Sequence, residues 1–334
     1  MAKVTYKRDR RRPGCLLTSI FILVLVIAGF WIASKVGLNL TPKSFKTPVA
    51  EYGEDEFPQF DEIWSCGQGS NKVIRISISG MIMLGRTGSF LNPASSAGIA
   101  LQSIRRATLD KDVQAIILDI DSGGGGITAS DIIYNALLNF KKDRPKRRIV
   151  ALYGDTAASG AYYISLAADH IIARPTSITG SIGVIVPSVN FHELVTKYGI
   201  KDASIKSGSN KDLLNPLTEP SEEQNIIMQS VVDDLYDHFV KLVAKNRNLP
   251  ENKVRTIADG RIFTAPEALR LKLIDETGYW DAAMTRTAEL LDVDTIKVYR
   301  YEGIFSFSNL LRANKSIHPK TWFQNNEPRI QYRW

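Results

Sequence analysis

Val113 to Ile120 reads VQAIILDI and runs straight into Asp121-Ser122-Gly123-Gly124-Gly125-Gly126. A nearly continuous apolar run of strand length suits a sheet covered on both faces. The glycines end it in a turn, and a helix-like segment follows from about Thr128 to Asn139. The same order then repeats, with a strand at Arg148 to Tyr153, a small-residue turn at Gly154 to Gly160 and a helix at Ala161 to Ala168. A third short strand, His170 to Ala173, leads into Thr179-Gly180-Ser181-Ile182-Gly183. This rhythm predicts an α/β fold with a mostly parallel sheet and crossover helices.

Working outward, Asn71 to Gly80 (NKVIRISISG) has the period of two that marks a strand, and a helix is predicted from Gly98 to Thr108. Beyond Lys211 the chain turns helical. Ser221 to Lys245 carries Ile226, Ile227, Val231, Leu235, Phe239 and Leu242, a spacing that buries one face of a long helix. Ser221, with Gln224 three residues on, predicts a capping box. Shorter helices are expected at Glu251 to Ile257, Ala265 to Leu271 and Tyr279 to Leu290.

Leu16 to Ser34 contains no formal charge, and a helix of that length spans about 28 Å, close to the hydrocarbon thickness of a bilayer. Six basic residues, Lys3 to Arg12, sit on its N-terminal side. The positive-inside bias therefore predicts a single-pass protein of the inner (cytoplasmic) membrane, with its N terminus cytoplasmic and its body extracytoplasmic. A cleaved signal peptide is the rival, but it wants a shorter apolar core and a small-x-small exit, which Ile32-Ala33-Ser34-Lys35 supplies poorly. Pro42, Pro48, Pro58 and the acidic stretch Glu51 to Glu56 suggest a stalk. The expected order is a basic cytoplasmic tail (1–15), an anchor (16–34), a stalk or arm (35–70), a folded domain (71–295) and a C-terminal extension (296–334) of undetermined role.

Composition narrows the partners. The 334 residues, 44% hydrophobic and 23% charged, suffice for a sizeable core. The net charge of +7 belongs to the two ends of the chain, which leaves the body slightly acidic and argues against nucleic acid as a partner. Cys15 and Cys66 flank the apolar run on either side, so no disulfide framework supports the fold. Four histidines with no close pair argue against a metal centre.

Three places could carry chemistry. Ser159 stands among small residues just after an apolar strand, where a helix start would aim free backbone N–H groups at developing negative charge. The same position is also that of an ordinary N-cap serine. The glycine run 123–126 lacks a P-loop pattern and reads either as a flexible turn or as an N–H cradle for an oxyanion. Lys211, in Ile205-Lys206-Ser207-Gly208-Ser209-Asn210-Lys211-Asp212, has the look of a solvated loop residue, and a lysine base would need burial or a neighbouring cation.

Taken together, these motifs resemble the signal peptide peptidase A family of membrane-bound Ser-Lys peptidases, in its short single-domain bacterial form. The matching stretches are Asp121-Ser-Gly-Gly-Gly-Gly126, Ala157-Ala-Ser-Gly-Ala-Tyr-Tyr163, Thr179-Gly-Ser-Ile-Gly-Val184 and Lys206-Ser-Gly-Ser-Asn-Lys-Asp212. Further similarity runs through Ile257-Ala-Asp-Gly-Arg-Ile262 and Leu273-Ile-Asp-Glu-Thr-Gly278. The resemblance implies a sheet like that of the crotonase and Clp peptidase groups, with Ser159 as nucleophile, Lys211 as general base and Ser181 orienting that lysine. It also implies an oxyanion hole from the N–H groups of Gly125 and Ser159, no cofactor, apolar peptide substrates in or near the membrane, contact with the lipid bilayer and a homo-oligomer. Gly123 departs from the pattern, since the family usually has proline there, and glycine leaves the turn looser. The readings from other classes are a catalytically silent membrane scaffold of the same fold and an acyl-thioester hydratase or isomerase.

Overall fold

The computed structural model describes residues 60–84, 95–303 and 331–332, all within a compact unit from Ala50 to Trp334. In chain order the elements are β1 (Phe60–Gly67), β2 (Lys72–Ser79), α1 (Ser96–Leu109), β3 (Val113–Ser122), β4 (Gly125–Gly126), α2 (Ile127–Asp143) and β5 (Arg148–Ala158). They continue with α3 (Gly160–Ser165), β6 (His170–Ala173), β7 (Ile178–Gly180), α4 (His192–Lys197), α5 (Glu222–Arg247) and α6 (Glu251–Ile257). The last are β8 (Ile262–Thr264), α7 (Ala265–Arg270), β9 (Glu276–Thr277), α8 (Trp280–Leu291), β10 (Lys297–Gly303) and β11 (Gln331–Tyr332).

The main sheet runs β1-β10-β2-β3-β5-β6-β9. Every pairing from β10 to β9 is parallel, and only β1 at the edge runs antiparallel, against β10. β7 continues the β5 edge in parallel and pairs antiparallel with β8. The mixed α/β fold with a parallel-dominated sheet is therefore as the periodicity predicts. The apolar run of β3 is explained by burial on both faces. Ile116, Leu118 and Ile120 join the core that includes α1, α2, α3 and α5, whereas Ala115 and Ile117 pack with Val150, Leu152 and Ala283 on the α8 side.

Arg147 ties this core together at the bottom of β3. It is almost fully buried, and its guanidinium donates to the carbonyls of Val113 (3.1 Å), Thr108 (3.1 Å) and Asp110 (2.7 Å) and pairs with Asp143 (3.1 Å). These bonds supply the partners without which a buried cation would be costly.

Several boundaries differ from those predicted. The sheet begins at Phe60, inside the expected stalk, because β1 finds a partner in β10. β10 lies beyond the expected domain end at residue 295, yet it sits between β1 and β2 with Val298 buried. The segment Gly154 to Ala158 is not a turn but the end of β5, where Thr156, Ala157 and Ala158 pair with β7. The capping box at Ser221 and Gln224 is present. However, the buried residues of α5 are Phe239, Val240, Val243 and Ala244, all in its second half, while Ile226 is exposed. No helix among the described residues is long and apolar enough to cross a membrane. The predicted anchor, 16–34, lies outside the described residues.

Candidate active site

β3 and β5 lie side by side in parallel and reach the same edge of the sheet, where Ser122 pairs with Ala157. Each then turns sharply. After β3, the Ser122 hydroxyl donates to the Gly80 carbonyl (2.5 Å) and accepts from the Gly124 N–H (3.1 Å). Gly124 has φ of 105°, a conformation open to glycine and strained for other residues. The chain then runs beside Ile82, whose N–H donates to Gly124 O (2.9 Å) and whose carbonyl accepts from Gly126 N–H (2.8 Å). In such a parallel bridge, the groups of the residue between point the other way. The N–H and C=O of Gly125 thus face the side on which β11 runs antiparallel, with Tyr332 opposite Gly125 and Gln331 opposite Gly126. A Cβ on Gly125 would lie 2.1 Å from Ile82 O, so no other residue fits.

After β5 the chain passes through Ser159 into α3. Ser159 has φ of 55° and ψ of −119°, far from the extended backbone of an ordinary N-cap. Its side chain makes no capping bond, and the residue is completely buried. Its Oγ has no hydrogen-bond partner among the described residues. The plain capping role is thus excluded. What remains is a buried hydroxyl on a strained strand-to-helix turn, the kind of arrangement that holds a reactive serine.

The two turns touch. A Cβ on Gly160 would come 2.4 Å from Ser130 Oγ and 3.3 Å from the Gly125 nitrogen, so glycine here lets α2 and the Gly125 amide approach Ser159. One expectation is corrected: the Ser159 N–H already donates to Gly180 O at 2.8 Å. The next amide, that of Gly160, opens α3, and the first N–H groups of a helix lack partners within it. Ser181 is nearly fully buried, with φ of 50°, and follows the Gly180 that holds Ser159. Its own N–H donates to Arg261 O at 2.8 Å. Ser159, Ser181 and Gly125 are thus brought together at one edge of the sheet.

Lys211 is set apart. It is exposed, and it makes no ion pair among the described residues. Its neighbour Lys206 is ion-paired with Asp212. Bonding to Lys206 is the main reason the Asp212 carboxyl stays below the usual carboxylate range. The loop is tied to α5 by Asn210 Nδ2 to Glu223 Oε1 (3.1 Å) and Gln224 Nε2 to Ser209 O (3.2 Å). The stretch leading to it has little core of its own. α4 buries no residue, and Val189, Leu194, Tyr198, Ile200 and Ile205 are exposed.

Sequence reasoning gave no role in this site to Ile82, Gly160 or Gly180, although both glycines lie in the matching stretches. All three act through backbone atoms, and only the alternation of small residues around Ser159 hinted at one of them. Among the described residues no cluster of three or more His, Cys, Asp or Glu could hold a metal ion. The arrangement offers a hydroxyl that can attack a carbonyl carbon and backbone amides beside it that can receive the resulting oxyanion.

Residues 141–294, which include Ser159, Ser181 and Lys211 but not Gly125, match the model of peptidase family S49. A protein of Enterococcus faecium named as a signal peptide peptidase is 36% identical over 273 residues, 81% of this chain and 76% of that protein. A Synechocystis sp. protein named as a protease is 38% identical over 227 residues, 68% of this chain and 77% of its own. Protease 4 of Haemophilus influenzae is 30% identical over 226 residues, 66% of this chain but only 35% of that longer protein.

Proposed function

We propose, from the premise that this chain belongs to peptidase family S49, the signal peptide peptidase A family, that it is a peptidase working through Ser159 as nucleophile and Lys211 as base. The observation that carries the reading is the buried Ser159 Oγ, unpartnered among the described residues and held on a strained turn beside Gly125.

In the proposed reaction, Lys211 in its neutral form takes the Ser159 proton as Oγ bonds to the scissile carbonyl carbon. The carbonyl electron pair moves onto oxygen, which the N–H groups of Gly125 and Gly160 receive. The lysinium returns its proton to the leaving amine as the peptide C–N bond breaks, and water then releases the acyl group by the same steps. Ser181 orients the lysine. No cofactor enters these steps.

A lysine can act in this way only where burial or a neighbouring cation favours its neutral form, and within one chain Lys211 is exposed. We therefore assign Lys211 of one copy to Ser159 of a neighbouring copy in a homo-oligomer. The exposed apolar side chains of the 185–205 stretch support this, since burial against a second copy would remove them and the lysine from water together. The substrates are apolar peptides in or near a bilayer, brought there by the 16–34 anchor of a single-pass inner-membrane protein with its domain outside the cytoplasm.

Hydrolysis of a hydrophobic peptide, followed by mass spectrometry, tests the reading. Ser159→Ala and Lys211→Ala are each expected to lose turnover while remaining folded. Mixing and reassembling the two inactive proteins should restore about a quarter of the activity, because one site in four then pairs an intact serine with an intact lysine from its neighbour. Activity in Lys211→Ala alone would refute the base, and a mixture that stays dead would refute its supply by a second copy.

A further inference from the structure

Tyr163 lies one helical turn after Ser159, and its N–H donates to Ser159 O at 2.9 Å. Its side chain is almost completely buried, packed edge-on against Tyr134 of α2 (centroids 5.5 Å apart) and tilted against Phe239 of α5 (5.2 Å). The hydroxyl is the polar end of this side chain. It donates to Asp131 Oδ1 at 2.7 Å and lies 3.0 Å from His238 Nε2. A carboxylate can only accept, so the single phenolic proton goes to Asp131, and the second bond must be a His238 Nε2–H donated to the tyrosine oxygen.

Two of the three elements joined there carry groups of this chain's proposed site, and the third carries the Lys211 loop that the proposed reaction lends to a neighbouring copy. Asp131 is on α2, which starts at Ile127 directly after Gly125-Gly126. Tyr163 is on α3, which starts directly after Ser159. His238 is on α5, whose first turn holds the Lys211 loop through Glu223 and Gln224. Neither Asp131 nor His238 is buried, although the His238 ring also stacks on that of Tyr163, with centroids 6.2 Å apart.

We infer that Tyr163 is a positioning residue: its hydroxyl, held between Asp131 and His238, sets the spacing between the Gly125 turn and Ser159 and links both to the helix that carries the Lys211 loop. The inference rests on the proposed peptidase reading. Tyr163→Phe keeps the ring and its packing and removes only the link. A shift in the spacing of nucleophile and oxyanion donor acts on the transition state more than on peptide binding, so kcat falls while KM holds.

The test uses the full chain, with active sites counted by a fluorophosphonate so that unfolded protein does not enter the rates. Tyr163→Phe is expected to lower kcat about three- to tenfold at unchanged KM. His238→Ala should lose a similar factor, and His238→Gln, which keeps an N–H donor, should recover it. In the Tyr163→Phe background His238→Ala should cost nothing further, because both act through the same oxygen. Wild-type kcat in Tyr163→Phe, a loss confined to KM, or fully additive losses would each overturn the inference. Should Tyr163→Phe not fold, the exposed His238 pair of variants decides alone, and equal rates for Ala and Gln there refute it. Amide hydrogen exchange separates this inference from the peptidase reading. In Tyr163→Phe, exchange is expected to rise together in 125–130 and 159–163, whether or not the wild type cleaves peptides, and no rise in either segment refutes the link.

Discussion

At the scale of single residues, Gly125 and Ser159 show how little a side-chain inventory says about this site. Gly125 contributes no side chain. It contributes the absence of one, since a methyl group would sit 2.1 Å from a backbone carbonyl that is itself held in the bridge beside the glycines. Gly125→Ala is therefore expected to push the Gly125 amide out of place and lower kcat/KM by about a hundredfold, the cost of misplacing a reacting group by roughly an ångström. Kinetics of the purified variant check this, and near-normal turnover would mean that the amide is not aimed at the substrate. For Ser159, the residues alone leave an N-cap and a nucleophile both open. A positive φ and a hydroxyl that caps nothing decide between them, and neither is visible in the letters Ala-Ala-Ser-Gly.

At the scale of elements, α5 divides into two halves with different partners. Its second half is core, and its last turn is anchored by Arg247. The guanidinium donates to Lys272 O (2.8 Å) and to both oxygens of Asp275 (2.6 and 3.0 Å). Asp275 also accepts from Ile171 N–H at 2.8 Å, at the start of β6. Burial pushes the Asp275 carboxyl up, but the Arg247 bonds, its charge and the Ile171 amide together hold it below its ordinary value. A carboxyl whose folded value is depressed stabilises fully above its unfolded value, near 3.9, and loses that contribution as the pH falls through the folded value. Asp275→Asn should cost about 1.5–3 kcal/mol at pH 7, and less in denaturant titrations near pH 3. An equal cost at both pH values would show that the charge is not the stabilising feature. The first half of α5 carries the apolar positions that periodicity assigns to a core, yet Ile226 is exposed. The spacing marks a face suited to burial, but this chain's own core does not cover it.

At the scale of the whole molecule, the strand β11 lies on the glycine pair in extended form, as an added strand lies on a sheet edge. We expect a substrate peptide to use that same edge, so that substrate and chain terminus compete. Truncation after Gly303 should then raise kcat/KM for an added peptide while leaving the sheet intact, since β10 is complete at that residue. Comparing the truncated and full-length proteins on one substrate checks this, and unchanged kinetics would mean that peptides bind elsewhere. The proposed sharing of Lys211 between copies belongs to this scale too. It predicts that a variant made monomeric is folded but inactive, which sedimentation paired with a turnover assay would reveal.

Ser181 and the roles of Lys211 and Gly125 entered only through the family resemblance, whereas the strands β2, β3, β5 and β6, the helices α1 to α3 and α5 to α8, the sheet class and the candidate place of Ser159 were legible in the residues themselves. Those features depend on periodicity and on local runs of small residues, and both are local properties of the chain. The edge strand β1 and its neighbour β10 were not legible, because their pairing joins residues more than two hundred positions apart and no local pattern encodes a distant partner. Nor could the letters tell that the Ser159 amide is taken by Gly180, that Gly160 stands next to Gly125, or that Asp131, Tyr163 and His238 meet at one oxygen. Hydrogen bonds between separate turns exist only once the parallel sheet has brought those turns to a common edge.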